Sequence, residues 1–287
     1  MDTIIIGNGP AGISAALYTC RANLKTLIIG RDGGSLEKAE KIENYYGFAE
    51  PISGTELLDI GISQAKRLGA EIINDEVVGV GYDGQYIIKT NHGEYKAPSM
   101  ILTTGAIRTI PRIKGLKELE GRGVSYCAEC DAFFYRGKDV AVLGHGNYAL
   151  HEAQVLLPVA KSVTLLTDGK EPKTSVPESI KVNTAKINKI NGNNIIDSIE
   201  FENAAEQKIN GLFVAIGVAG SADLARKLGV TLNGRNIAVN ERMATNLPGL
   251  YAAGDCTGGM LQIAKAVHEG AIAGREVIKY IKNLKNN

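Results

Sequence analysis

Thr3-Ile4-Ile5-Ile6-Gly7-Asn8-Gly9-Pro10-Ala11-Gly12 is the stretch that decides the fold. The isoleucines have the length and β-branched character of a short buried strand. Gly7, Gly9 and Gly12 follow at G-x-G-x-x-G spacing, and residues 11–20 continue as a helix. A second apolar run at residues 26–29 completes a β-α-β unit of about thirty residues. In such a unit the glycines allow a tight turn and a close approach to a pyrophosphate. The helix N-terminus adds free N–H groups and the positive end of its dipole. The carboxylate that ordinarily meets the ribose at the end of the second strand is displaced. Gly30 and Arg31 stand there, and Asp32 is the nearest acid.

The pattern recurs. Residues 140–143 read as a strand, Gly144-His145-Gly146-Asn147-Tyr148-Ala149 as a second nucleotide-type turn, 150–159 as a helix and 162–166 as the next strand. The expected fold is α/β with two Rossmann-like dinucleotide-binding domains. Between the turns lies Cys127-Ala128-Glu129-Cys130, followed directly by Asp131. A dithiol at this spacing can close a small disulfide ring and exchange with an external disulfide through a mixed disulfide. One rival reading is half of a zinc site. That site wants four ligands, and no second C-x-x-C occurs. No metal is therefore expected. A purely structural disulfide is the other rival. Cys20 and Cys256 read as packed core thiols.

The 287 residues suffice for one large domain or two modest ones. Hydrophobic residues make up 44% and charged residues 22%, an ordinary globular balance. A formal net charge of +1 points to neither nucleic acid nor membrane as a partner, and the apolar runs are of strand length. Four cysteines, no basic leader before Thr3 and a C-x-x-C pair favour redox chemistry in a reducing compartment, with a cytoplasmic location expected.

Gly33-Gly34-Ser35-Leu36, then Ile42-Glu43-Asn44-Tyr45-Tyr46-Gly47-Phe48, resemble the flavin-contacting segments of low-molecular-weight thioredoxin reductases. Thr103-Thr104-Gly105-Ala106 resembles the turn at which the chain leaves their FAD domain. Leu247 to Asp255, ending Ala253-Gly254-Asp255, resembles their second FAD segment, in which the aspartate binds the ribityl chain. Gln262-Ile263-Ala264 is similar to the stretch beside the flavin pyrimidine ring. The resemblance runs from about residue 3 to residue 280 and implies FAD as cofactor. Gly7, Gly9, Pro10, Ala11 and Gly12 would serve the pyrophosphate. Gly34, Ser35, Leu36, Asn44, Thr104, Gly105, Ala106, Gly254, Asp255, Gln262, Ile263 and Ala264 would serve the rest.

The same resemblance implies roles for the dithiol. Cys130 would face the flavin, Cys127 would attack the disulfide of a thioredoxin, and Asp131 would handle the proton. It also implies a homodimer and a discontinuous FAD domain at 1–110 and 241–287. Residues 111–240 would be a smaller inserted pseudo-NAD(P)H domain that carries the dithiol and swivels on its two linkers.

The electron donor is read from the second nucleotide-type unit. In NADPH-dependent relatives the strand at 162–166 ends in a histidine and two arginines, with another arginine a turn later, and these hold the 2′-phosphate. Here Thr167-Asp168-Gly169-Lys170 follows, and no arginine stands between Arg136 and Arg226. A carboxylate at Asp168 would repel a 2′-phosphate by about a kilocalorie or more, and Lys170 and Lys173 lack the bidentate fork. Ala215-Ile216-Gly217-Val218-Ala219-Gly220-Ser221 also departs from the family after A-I-G. Three readings remain: NADPH at a degenerate site, NADH with Asp168 on a free ribose hydroxyl, or ferredoxin. The last is the favoured one, because ferredoxin-dependent flavin thioredoxin reductases keep FAD and C-x-x-C while losing the NADPH-binding residues. A redox-silent flavin-binding regulator is the remote alternative, and it has no use for Cys127, Cys130 and Asp131 together. An amphipathic helix is expected at 274–284, with Val277, Ile278, Ile281 and Leu284 on its apolar face. Its Arg275, Lys279 and Lys282, with Lys285 beyond, would either meet an acidic ferredoxin or simply suit the helix C-terminus.

Overall fold

The computed structural model describes residues 1–105, 111–217, 219–234 and 236–286. The chain forms two compact units, Met1–Arg108 with Gly220–Asn287, and Thr109–Ala219. In the first, strand β1 (Thr3–Ile6) is wholly buried and leads through the glycine turn into helix α1 (Pro10–Arg21). Proline at the first helical position costs no hydrogen bond, since that N–H has no partner within the helix in any case. Strand β2 (Thr26–Gly30) lies parallel to β1, with Ile4 opposite Leu27. Helix α2 (Gly54–Arg67) starts at Ser53, whose Oγ accepts from the Glu56 N–H at 3.1 Å. Strand β3 (Glu71–Asn74) extends the parallel sheet. An antiparallel trio follows: β4 (Val77–Tyr82), β5 (Tyr86–Thr90) and β6 (Glu94–Ala97). Strand β7 (Met100–Leu102) then pairs with the other side of β1, Ile5 opposite Ile101.

The second unit contains β8 (Val124–Ser125), the short helix α3 (Ala128–Asp131), β9 (Asp139–Leu143), α4 (Asn147–Leu156), β10 (Ser162–Leu166) and β11 (Lys181–Asn183). After them come the antiparallel trio β12 (Ile187–Gly192), β13 (Ile196–Phe201) and β14 (Ala204–Lys208), and then β15 (Gly211–Val214). The parallel sheet runs β11-β10-β9-β15-β8. Its apolar face packs on the trio through Leu116, Ala141, Leu143, Leu166, Ile199 and Leu212. The helix expected at 150–159 instead begins at Asn147 and ends at Leu156. Gly146 serves as its N-cap, and Pro158 cannot continue a helix or let its predecessor settle into one.

Back in the first unit the chain adds α5 (Ser221–Lys227), the small pair β16 (Leu232–Asn233) and β17 (Asn236–Ile237), β18 (Leu250–Ala252) and the long helix α6 (Ile263–Asn286). Its parallel sheet is then β18-β7-β1-β2-β3. The crossing back lies at Gly220 and not at residue 241, so residues 220–240 belong with the first unit. Tertiary hydrogen bonds decide this. Ser221 N–H donates to Thr104 Oγ1 at 2.6 Å, and Thr104 N–H donates to Ser221 Oγ at 3.1 Å.

The helix expected at 274–284 is the second half of α6. Val277 and Ile281 are fully buried, whereas Leu284 is 46% exposed and stands off the core. Helix α6 lies so close to α1 that only glycine fits at two positions. A Cβ on Gly270 would fall 2.1 Å from Ala11 O, and one on Gly274 2.6 Å from Ala15 O. Ile5, Ala15, Ile28, Ile101, Ala273 and Val277 form the core around this contact. Among the described residues no helix is long and apolar enough to cross a membrane.

Gly270→Leu should therefore destabilise the protein by at least about 2 kcal/mol in urea unfolding. Lys282→Ala, exposed on the same helix, should stay within about 0.5 kcal/mol of the parent.

Candidate active site

The first turn is built for a close ligand. A Cβ on Gly7 would strike Thr103 O at 2.3 Å, and one on Gly12 would strike Gly7 O at 1.9 Å, so backbone packs on backbone with no room for side chains. Gly9 is the opposite case: a Cβ there meets nothing within 4 Å, and it caps α1 with no side chain over the helix end. Pro10 and Ala11 follow directly at the N-terminus of α1. An open backbone edge with free N–H groups is what a pyrophosphate requires.

The other expected flavin residues fall in the same unit. Gly34 takes a left-handed φ of 60° next to exposed Ser35, and Leu36 opens a short 3₁₀ turn. Asn44 Nδ2 donates to Gln262 Oε1 at 3.1 Å, which joins two segments far apart in the chain. Ile263 and Ala264 begin α6. Thr104 is tied to Ser221, and Gly105 has a φ of 79°. Ala106 lies outside the described residues. Asp32 is engaged by its neighbours: Oδ2 accepts from Arg31 Nη2 at 2.6 Å and Oδ1 from Gly34 N–H at 3.1 Å.

Gly254 (φ 85°) and Asp255 sit on a loop held from beneath by two residues that sequence reasoning overlooked. Lys265 Nζ donates to Gly254 O at 2.8 Å, Thr257 Oγ1 at 2.9 Å and Gly258 O at 2.5 Å. It also pairs with Glu269 Oε2 at 3.1 Å, both side chains being more than four-fifths buried. Glu269 Oε2 accepts in turn from Gly254 N–H at 2.8 Å. The i, i+4 spacing of Lys265 and Glu269 at a helix start was the available signal. Asp255 is pushed above the usual carboxylate range by burial and by Glu269, with Lys265 opposing. Cys256 is buried, and burial pushes its thiol up to about 12. Cys20 is likewise buried and raised by burial. Both behave as core thiols.

In the second unit Cys127 and Cys130 are joined as a disulfide, their Cα atoms 5.3 Å apart. Cys127 is the N-cap of α3 and only 4% exposed, whereas Cys130 is exposed. Ser125, at the end of β8, links the motif together. Its Oγ donates to Asp131 Oδ2 at 2.7 Å and accepts from Cys127 N–H at 3.1 Å. Glu152 reaches from α4 and accepts from Ala128 N–H at 2.8 Å while only 1% exposed. Neither Ser125 nor Glu152 was flagged in the sequence. Phe133 and Phe134 follow at once and are 72% and 67% exposed. Among the described residues no group of three or more His, Cys, Asp or Glu side chains is placed to hold a metal.

The second glycine turn is also capped by glycine, at Gly146. The segment after β10 folds back on it, with Lys173 N–H donating to His145 O at 2.7 Å. Burial, with Lys170 and Lys173 nearby, lowers the His145 pKa. Asp168 sits at a left-handed φ of 52°, and its Oδ1 accepts from Ile187 N–H at 2.9 Å. One oxygen of that carboxylate is thus tied to the start of β12. On α6, Lys279 is paired with Glu276 and Lys285 with Asp2, so two of the expected docking cations are already engaged.

The profile of the family described as pyridine nucleotide-disulphide oxidoreductase matches residues 1–270. The chain is 36% identical over 303 residues to the thioredoxin reductase of Bacillus subtilis (strain 168), covering 99% of this chain and 95% of that one. Its fold is similar to that of the atypical thioredoxin reductase TRi from Desulfovibrio vulgaris Hildenborough, with a TM-score of 0.93, 43% identity and 98% of each chain covered. A ferredoxin-flavin thioredoxin reductase from Clostridium acetobutylicum matches with a TM-score of 0.74 and 30% identity, covering 100% of this chain and 98% of that one.

Lys265→Met should leave Glu269 as an unpaired buried carboxylate and cost about 3 kcal/mol in urea unfolding. Adding Glu269→Gln should recover much of the loss.

Proposed function

Since the chain belongs to the pyridine nucleotide-disulphide oxidoreductase family, among the low-molecular-weight thioredoxin reductases, we propose that it is an FAD-dependent thioredoxin-disulfide reductase acting through Cys127 and Cys130, with reduced ferredoxin as its electron donor. FAD is the cofactor of this family. The observation that carries the catalytic assignment is the Cys127–Cys130 disulfide coupled through Ser125 to Asp131.

The open Gly9 edge and the α1 N-terminus suit the pyrophosphate. Asp255 would take the ribityl chain, and Gly34–Leu36, Asn44, Thr104–Ala106 and Gln262–Ala264 the remainder. Bound there, FAD supplies a centre that accepts electrons one at a time and yields them as a pair. Cys130, the exposed sulfur, would receive that pair. Breaking the S–S bond with two electrons and two protons gives two thiols. Asp131, held by the Ser125 hydroxyl, is the group that carries a proton to or from them. The Cys127 thiolate then attacks the thioredoxin disulfide and forms a mixed disulfide, and Cys130 displaces the reduced thioredoxin and restores the starting bond. Cys127 is almost covered in the oxidised state, so it must be uncovered before that attack. The exposed Phe133 and Phe134 give thioredoxin an apolar landing surface beside it.

Three features favour ferredoxin. No arginine stands between Arg136 and Arg226. Asp168 occupies the place of the 2′-phosphate ligands and is spent on Ile187. The backbone of Lys173 bonds across the second turn at His145. Energetically, a ferredoxin at about −400 mV lies about 130 mV below a thioredoxin-type dithiol at about −270 mV, roughly 6 kcal/mol downhill for an electron pair. NADH is the second reading, carried by the position of Asp168 at the strand end. A homodimer in the cytoplasm is the setting that the family resemblance implies, and a single-chain mass in sedimentation velocity would count against it.

Anaerobic stopped-flow mixing tests the donor. NADPH and NADH should leave the flavin oxidised on the timescale of turnover, and reduced ferredoxin should bleach it, more slowly as salt rises. Rapid bleaching by NADH would reject ferredoxin and make Asp168 a ribose ligand.

Cys127→Ser and Cys130→Ser should each abolish thioredoxin reduction while retaining bound FAD. Phe133→Ala/Phe134→Ala should raise KM for thioredoxin about tenfold or more and leave flavin reduction unchanged. Turnover in either cysteine variant would remove the dithiol from the mechanism.

A further inference from the structure

At the end of β2 a dinucleotide fold ordinarily presents a carboxylate to a ribose. Here Gly30 holds that position, and the space beside it is filled by Asn8, from the glycine turn itself. A Cβ on Gly30 would fall 2.4 Å from Asn8 Cγ and 2.7 Å from Asn8 Oδ1. The Asn8 carboxamide therefore lies across the strand end, where the missing side chain would project. It is half-buried, and among the described residues no hydrogen bond engages it. The nearest acid is already engaged locally. Asp32 Oδ2 is held by Arg31 Nε at 2.9 Å and Nη2 at 2.6 Å, and Oδ1 by Gly34 N–H. Arg31 is held in turn, with Nη1 3.7 Å from Glu76 Oε2.

We propose that Asn8 reads the adenosine ribose of FAD in place of the strand-end acid. A carboxylate can only accept from the two ribose hydroxyls, whereas a carboxamide accepts through Oδ1 and donates through Nδ2. A vicinal diol offers both partners. The turn thus carries two functions on adjacent residues: the backbone at Gly9 faces the pyrophosphate, and the side chain at Asn8 faces the sugar. Glycine at position 30 is then required, because any side chain there would displace the carboxamide. This inference rests on the FAD reading given above.

The test uses apo-protein freed of flavin and titrated with FAD by quenching of flavin fluorescence, with the urea midpoint of the apo-protein as control. Asn8→Ala should weaken FAD binding about tenfold or more and leave the urea midpoint unchanged. Gly30→Glu should also weaken it, by forcing the carboxamide aside. The double variant Asn8→Gly/Gly30→Glu should regain affinity relative to Gly30→Glu, because a carboxylate then enters the space Asn8 has left. Wild-type affinity in Asn8→Ala would overturn the inference. So would a parallel loss of stability, or a double variant no better than Gly30→Glu. If wild-type apo-protein takes up no FAD, the cofactor reading fails and this inference with it. Normal wild-type binding with an unaffected Asn8→Ala defeats the inference alone.

Discussion

Backbone-to-backbone contact at the first glycine turn is the constraint on which the first unit depends. Gly7 and Gly12 let the β1–α1 connection sit directly on Thr103, and Gly270 and Gly274 let α6 sit directly on α1. Any side chain at these points would force the packed backbone segments apart. Because the contacts are this tight, the start of α6 and the Gly254–Asp255 loop are fixed relative to the α1 N-terminus. The Lys265–Glu269 pair then holds the loop, its ammonium satisfied by backbone carbonyls and by Glu269. A buried ion pair with this many hydrogen bonds gives up little to desolvation and specifies a single geometry. Within that frame Asp255 is kept partly out of water beside an acid, which raises its proton affinity.

The second unit repeats the plan of the first, a five-stranded parallel sheet with an antiparallel trio. Helix α4 springs from the second glycine turn, and its Glu152 accepts from Ala128 N–H, beside Cys127. Strand β8 ends at Ser125, which orients Asp131. The scaffold of a nucleotide domain thus positions the dithiol whether or not it binds a nucleotide. The segment after β10 is tied to its surroundings, through Asp168 to Ile187 at the start of β12 and through Lys173 to His145 in the second glycine turn.

Local chemistry made much of this legible in the sequence. The strands at 3–6, 26–30, 139–143 and 162–166 are short apolar runs next to glycine turns, and both turns announce themselves by spacing. The C-x-x-C-D motif carries its redox reading in five residues. What stayed hidden depends on tertiary partners. The return to the first unit was expected at a polar Asn240-Glu241 stretch, whereas Ser221 and Thr104, distant in sequence, set it at Gly220. Helix α4 was expected to run through Pro158 because apolar residues continue there, and the proline ended it. Ser125 and Glu152 are unremarkable residue types whose importance lies only in what they touch. Asp168 stands where the spacing puts a ribose ligand, and only the fold shows that one of its oxygens also accepts from the Ile187 N–H.

The central claim is that electrons leave the flavin through Cys127 and Cys130. An anaerobic dithionite titration tests it most directly, followed through the flavin absorbance and through counted free thiols. Wild-type protein should take up the flavin's electrons and a further pair, and two new thiols should appear that alkylation and mass mapping assign to Cys127 and Cys130. Addition of oxidised thioredoxin should then return the further pair as thioredoxin thiols. Uptake of only the flavin's electrons, with the Cys127–Cys130 bond intact while thioredoxin is reduced, would contradict the account.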